Sequence, residues 1–188
     1  MNSYSVCVFC SASVHLPEMY FELARQFGAR VAREGYRLVY GGGGRGLMGS
    51  AARAAVDAGG AVLGVMPEVL VRREELATLG ENVIVDSLAE RKAKMAEASH
   101  AFVALPGGIG TLDEVTEMIT WNELGVHTKP VLLLNKFGFW DPLLEFFRRG
   151  RSVGVIRPGF EAHYAVVDTL DELFERLQHS VRAAVSIP

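Results

Sequence analysis

Two glycine-rich loops constrain this 188-residue chain more than any other feature of its sequence. Six glycines fall among the nine residues from Gly41 to Gly49, and three more among the four from Gly107 to Gly110. Each loop follows a short apolar run and precedes an amphipathic segment. Where a strand hands over to a helix on bare backbone, N–H groups can approach a ligand, and the helix N-terminus favours an anion. The alternative use of such glycines is steric, a turn that only makes room for helix packing.

Short apolar runs alternate with longer amphipathic ones along the whole chain. Strands are predicted at residues 4–10, 36–40, 61–66, 83–85, 101–105, 131–135 and 165–167. Helices are predicted at 17–34, 47–58, 87–98, 111–124, 142–149 and from 171 onward. This pattern predicts a Rossmann-like three-layer α/β fold with a central parallel sheet flanked by helices, as a single domain over residues 1–188. Ligands of such sheets bind beyond the carboxyl ends of the strands, where the strand order reverses, and both glycine loops fall on that edge. The stretch 67–82, which carries Arg72, Arg73, Glu74 and Glu75 together, is expected to be a mobile excursion.

Composition removes several functional classes. With 49% hydrophobic and 22% charged residues the chain is neither disordered nor fibrous. A net charge of −3 gives no broad basic field, so neither nucleic acid nor a membrane surface is expected as a partner. No apolar run approaches the roughly 20 residues that span a bilayer, and the start of the chain lacks the features of a signal peptide, so a cytoplasmic protein is expected. Cys7 and Cys10 form C-x-x-C, but on a strand residues three apart face opposite ways, so buried thiols rather than a metal or redox pair are expected.

The first loop satisfies G-x-G-x-x-G through Gly41, Gly43 and Gly46, with Glu68 at a distance suited to a ribose-binding acid. That leaves a nicotinamide oxidoreductase open, although the loop follows the second strand rather than the first. Neither loop has the ending of a nucleoside triphosphatase P-loop. The second loop, Pro106-Gly-Gly-Ile-Gly-Thr-Leu-Asp-Glu114, opens a helix rich in acid. Thr111-x-x-Glu114 reads equally as a capping box or as part of a catalytic site. In helix 87–98, Ser87-x-x-Glu90 is a second capping box, yet Arg91, Lys92 and Lys94 follow in the half where the helix dipole disfavours cations. Either this is a solvated basic face, or Arg91 holds an anion such as a phosphate or carboxylate. Helix 111–124 has two apolar faces, one of Leu112, Val115 and Ile119 and another with Glu114, Met118 and Trp121. The second face suggests either a subunit interface or full burial.

Taken in order, the segment from Tyr40 to Gly49, Glu90-Arg-Lys-Ala-Lys-Met95, the loop from Pro106 to Glu114, and the run from Glu117 to Gly125 resemble the LOG ("Lonely Guy") family of cytokinin riboside 5'-monophosphate phosphoribohydrolases. The similarity runs from Val6 to about Pro158. Members are also labelled lysine decarboxylase-like, but a pyridoxal enzyme needs a Schiff-base lysine, and the chain offers only Lys92, Lys94, Lys129 and Lys136. The resemblance implies hydrolysis of the N-glycosidic bond of an N6-substituted AMP, or of AMP, to free base and ribose 5-phosphate. It implies no cofactor and no metal, a purine nucleoside 5'-monophosphate as substrate, and a homodimer with helix 111–124 near the interface. Arg91 and Glu114 match the residues regarded as catalytic in the family. The expected substrate- and phosphate-binding residues are Ser11, Gly42, Gly43, Gly46, Met48, Lys92, Gly107, Gly108, Ile109, Gly110 and Thr111, with Asp113 and Glu117 in support. The first strand-loop departs from the family by reading Phe9-Cys-Ser-Ala-Ser13, where a glycine usually follows the cysteine. A non-catalytic nucleotide-binding or carrier module of the same fold is the alternative.

The chemistry of C1'–N9 cleavage fits that assignment. Positive charge grows on the ribose, so a carboxylate beside C1' is needed to stabilise it and orient water, a role given to Glu114. Arg91 would orient ribose or phosphate and keep Glu114 ionised, and Asp113 is a candidate acid for the departing base.

Overall fold

The computed structural model describes residues 4–71 and 79–185. Residues 72–78 of the expected excursion, including Arg72, Arg73, Glu74 and Glu75, lie outside the described residues, and its two ends belong to regular elements. Seven strands form one sheet: β1 (Ser5–Phe9), β2 (Arg37–Tyr40), β3 (Val62–Pro67), β4 (Glu81–Val85), β5 (Ala101–Ala104), β6 (Val131–Leu134) and β7 (Ala165–Val167). Their order is β4-β3-β2-β1-β5-β6-β7, and every adjacent pair is parallel. The helices are α1 (Glu18–Arg33), α2 (Gly46–Asp57), α3 (Glu68–Val71), α4 (Leu88–Glu97), α5 (Ile109–Glu123), α6 (Asp141–Ser152) and α7 (Leu170–Val185).

Strand parity sorts the core into two layers. Val6 and Val8 of β1 face α1, α2 and α7, together with Leu38, Tyr40, Val103 and Leu132. Cys7 and Phe9 face the other way, with Val39, Phe102, Ala104 and Leu133, against α4, α5 and the start of α6. Both faces of the central strands are therefore buried, which is why these strands read as continuous apolar runs. Each large side chain so buried contributes roughly 1.5–3 kcal/mol. The same parity separates the thiols: Cys7 lies in one layer and Cys10 in the other, both free and buried.

Helix α5 differs from expectation in two ways. It starts at Ile109 rather than Thr111, because the extended residue Gly108 is the N-cap and the chain is already helical through Gly110. Its sheet-facing side consists of Thr111, Glu114, Val115, Met118 and Ile119. Met118 therefore belongs to the core face, with Trp121 partly buried against the same cluster, and not to a separate second face. The outward apolar side is built instead from Ile109, which is 81% exposed, and the half-buried Leu112. Helical spacing locates stripes, but only packing against the sheet decides which stripe is inside.

A candidate active site at the strand-order reversal

Strand β1 has β2 on one side and β5 on the other; the crossover after β1 runs to β2 and the one after β5 runs the opposite way to β6, so a crevice opens where β1 and β5 end. A cleft of about 200 Å³ occupies that crevice. Cys10, Ser11 and Ala12 line it from the end of β1, and Gly108, Gly110, Thr111 and Glu114 from the turn and helix after β5. Met48 enters from α2 and Arg91 from α4.

Arg91 and Glu114 are the charged residues at its centre, 7% and 8% exposed. Arg91 Nη1 lies 3.1 Å from Glu114 Oε1. The guanidinium is also pinned from behind, where Nε donates to the Val65 carbonyl and Nη2 to the Gly41 carbonyl, each at 3.2 Å. Charge-assisted bonds of this kind fix a planar fork in both position and orientation. Those two backbone acceptors had no signature in the sequence, because any residue type supplies a carbonyl.

The first glycine loop serves this arginine. A Cβ on Gly41 would sit 1.8 Å from Arg91 Nη2, so a bare backbone is the condition for the guanidinium to reach its place. Gly46, at φ +60°, lies where a Cβ would be 2.4 Å from the Ala12 carbonyl carbon, and the adjacent Leu47 N–H donates to the Ser11 carbonyl at 2.8 Å. This contact locks the start of α2 onto the end of β1. Gly42, Gly43 and Gly46 do not line the cleft, whereas Met48 one turn into the region does. Glu68, the loosely placed acid of the dinucleotide reading, is exposed at the start of α3.

The second loop faces the cleft directly. Gly108 caps α5 without a side-chain hydrogen bond, and the first intrahelical bond runs from Leu112 N–H to the Gly108 carbonyl at 2.9 Å. The N–H groups of the first turn are the unsatisfied donors of a helix start, and they open where Gly110 and Thr111 line the cleft. Thr111 lies inside the helix and is not its cap, so the capping-box reading of Thr111 and Glu114 is excluded. At Ser87 the N-cap half of the box forms, with Ser87 Oγ accepting from Glu90 N–H at 3.1 Å, while Glu90 Oε2 reaches one residue further back and accepts from Asp86 N–H at 2.9 Å. Gly107 and Ile109, expected near the substrate, instead line an adjoining apolar groove with Leu112, Phe139, Leu143 and Phe146, which meets the cleft at Gly108.

Lys92 does not line the cleft. Its ammonium lies 2.9 Å from Asp113 Oδ2 and 3.2 Å from Glu117 Oε2. Burial pulls the Lys92 ammonium down, but the hydrogen bonds it donates to the Asp113 and Glu117 carboxylates outweigh that and hold it above its ordinary value. Asp113 is likewise outside the cleft lining. Lys94 pairs with Glu97 on the surface, Lys129 Nζ donates to the Ala96 carbonyl near the C-terminus of α4 at 2.7 Å, and Lys136 lies over the Phe137 ring. With all four lysines placed elsewhere, the cleft has no amine to form a Schiff base, and its residues do not fit pyridoxal phosphate. Cys10 and Ala12 line the cleft without having been expected there. Their signal was position alone, directly after the strand at which the order reverses.

Residues 48–177 match the family model described as "Possible lysine decarboxylase". The chain is 43% identical over 179 residues, 95% of its length and 80% of the relative, to the probable cytokinin riboside 5'-monophosphate phosphoribohydrolase LOGL1 of Oryza sativa subsp. japonica. It is 41% identical over 174 residues, 92% of its length and 76% of the relative, to the phosphoribohydrolase LOG5 of Arabidopsis thaliana. Against the cytokinin riboside 5'-monophosphate phosphoribohydrolase of Rhodococcoides fascians the identity is 43% over 169 residues, 89% of this chain and 85% of that one. Among solved structures, the molybdenum cofactor carrier protein of Chlamydomonas reinhardtii superposes with a TM-score of 0.72 at 21% identity, covering 96% of this chain and 99% of that one. The molybdenum cofactor binding protein of Rippkaea orientalis gives 0.74 at 20%, with the same coverage. These last two establish a shared fold.

Proposed function

The chain belongs to the family of cytokinin riboside 5'-monophosphate phosphoribohydrolases, and from that premise we propose that it hydrolyses the N-glycosidic bond of N6-substituted AMP, or of AMP, to free base and ribose 5-phosphate. The observation that carries this reading onto particular residues is the buried Arg91–Glu114 pair beside an uncapped helix start at the strand-order reversal.

The N-terminus of α5 suits the 5'-phosphate, held by the N–H groups of its first turn with Gly108, Gly110 and Thr111 close around it. Ser11 and Met48 bound the space for the sugar and base. Binding energy gathered at the phosphate then positions a bond several atoms away. As C1'–N9 lengthens, the electron pair leaves with the purine and the ribose becomes cationic. Glu114 stabilises that cation and orients a water molecule, whose oxygen joins C1' and whose proton is released. The departing purine takes up one proton, so the reaction balances as water added across the bond. Arg91, anchored on two carbonyls, fixes the Glu114 carboxylate and presents positive charge to the ribose hydroxyls or phosphate.

The test is product separation after incubation with N6-isopentenyl-AMP and with AMP. Free base from at least one is expected, and none from either, at concentrations where a control enzyme works, overturns the reading. Glu114→Gln is expected to abolish turnover while nucleotide monophosphate binding survives. A non-catalytic carrier would bind these ligands saturably and release no base. We further propose a homodimer joined near the apolar groove beside α5, where Ile109 and Phe146 are exposed at 81% and 63%. Sedimentation of the wild type as a dimer, and of Phe146→Glu as a folded monomer, is the expected result; a wild-type monomer overturns it. Among the described residues no helix is long and apolar enough to cross a membrane.

A further inference from the structure

Arg91 and Lys92 are consecutive cations near the start of α4, where the helix dipole opposes both, and each is answered from α5. Arg91 turns into the cleft and meets Glu114. Lys92, about 100° further round the helix, leaves the cleft and ends between Asp113 and Glu117, with its side chain only 15% exposed. Asp113 and Glu117, at i and i+4, share one face of α5 and meet Lys92, while Glu114, about 100° round from Asp113, points to the cleft and meets Arg91.

The charge balance of the Lys92 cluster decides what it can bind. One ammonium against two carboxylates leaves a net charge of −1, which repels a phosphate dianion. The cluster is therefore a poor ligand for the anionic part of a nucleotide. It is well suited to hold two helices together. Arg91 is anchored on the Val65 and Gly41 carbonyls, whereas Glu114 is carried by α5 from a separate crossover, so the Lys92 cluster is the ion-pair link that ties α4 to α5 beside the Arg91–Glu114 contact.

We propose that Lys92 is a positioning residue and not a substrate ligand: its pairing with Asp113 and Glu117 braces α4 against α5, so that the Arg91 guanidinium stays seated on the Glu114 carboxylate. This rests on the functional reading above. A substrate ligand and a brace separate cleanly in kinetics. Lys92→Met is expected to lower kcat about tenfold or more, because small misplacements of catalytic groups are expensive, with KM for N6-isopentenyl-AMP and the Kd for ribose 5-phosphate, measured by calorimetry, changed less than about twofold. The pair Asp113→Asn with Glu117→Gln is expected to do the same. Lys92→Arg is expected to recover most of kcat. The triple variant, which leaves no unpaired charge between the helices, is expected to be no worse than Lys92→Met alone.

A rise in KM or in the ribose 5-phosphate Kd with unchanged kcat for Lys92→Met overturns the brace in favour of a substrate ligand. So does tighter binding when the two acids are neutralised, as would unaltered kinetics in Lys92→Met. If the wild type binds ribose 5-phosphate but releases no base, the functional reading fails instead. The brace is then decided by thermal unfolding, where non-additivity between Lys92→Met and the acid pair supports it and simple additivity overturns it.

Discussion

Replacing Gly41 with alanine tests the claim that the first glycine loop exists to admit Arg91. An added Cβ would lie 1.8 Å from Arg91 Nη2, 2.9 Å from its Cζ and 3.1 Å from Met48 Sδ. Ordinary contact begins near 3.4 Å, so Nη2 has to retreat by about 1.6 Å. That displacement removes the 3.2 Å bond to the Gly41 carbonyl and disturbs those to Val65 and Glu114. Hydrogen bonds to a charged group are worth about 1.5–3 kcal/mol each, so losing one or two costs about 2–4 kcal/mol. For a chain of this size that lowers Tm by roughly 5–15 °C. With the guanidinium misplaced by more than 1 Å, kcat/KM is expected to fall about 100-fold. The decisive assay is a double-mutant cycle with Arg91→Ala, followed by base release and thermal unfolding. Once Arg91 is truncated the methyl group has room, so Gly41→Ala is expected to add less than about 0.5 kcal/mol in that background. Gly110→Ala, whose Cβ meets nothing within 4 Å, is the stability control and is expected to leave Tm unchanged or slightly raised. Full activity in Gly41→Ala, or an equal loss of stability with and without Arg91, would refute the steric account.

Two further outcomes follow from buried titratable groups. Burial, with the Glu114 charge nearby, pushes both the Cys7 and Cys10 thiols up, so neither is expected to react with a disulfide reagent at pH 8 in the native protein, and both are expected to react on unfolding; rapid modification of one thiol in the folded state would contradict this. His100 Nδ1 accepts the Ser5 N–H at 3.0 Å and His127 Nδ1 the Lys129 N–H at 3.1 Å, while burial, followed by the Lys129 charge, holds both imidazoles below the ordinary histidine value. The unfolded chain then binds protons that the folded one refuses, so stability that is full above about pH 6.5 is lost as pH falls toward the lowered folded values. His100→Gln with His127→Gln is expected to flatten the decline in Tm between pH 7 and 5.5, and an identical slope in wild type and variant would count against it.

The fold was largely legible because all seven strands and every helix longer than the four-residue α3 announce themselves in one dimension. The alternation of apolar runs with amphipathic segments needs only the periods of a strand and a helix, and the observed strands match it to within a few residues. Helix α5 marks where that reasoning stopped. Its spacing revealed apolar stripes, but whether Met118 or Leu112 faces the sheet depends on how the helix is rolled, and local sequence does not contain that angle. Its start at Ile109 turned on Gly108 taking the cap, a choice that Thr111 offered equally well on paper.

The candidate site divides in the same way. The types and spacing of Arg91, Glu114 and the loop from Pro106 to Glu114 were written in the sequence, since chemistry at a glycosidic bond and an anion at a helix start both demand particular groups. What those glycines and cations touch was not. The loop's pattern announces bare backbone near an anion, and it does not announce that Gly41 leaves room for a guanidinium or that Gly46 seats α2 on the end of β1. Lys92 looked like a partner for substrate and meets two carboxylates of the chain itself. Sequence determines which groups exist and which local backbone they favour. Only the packing of α4 and α5 on one face of the sheet decides which charges lie within 4 Å of one another, because attraction and exclusion depend on distances that separate crossovers fix in three dimensions.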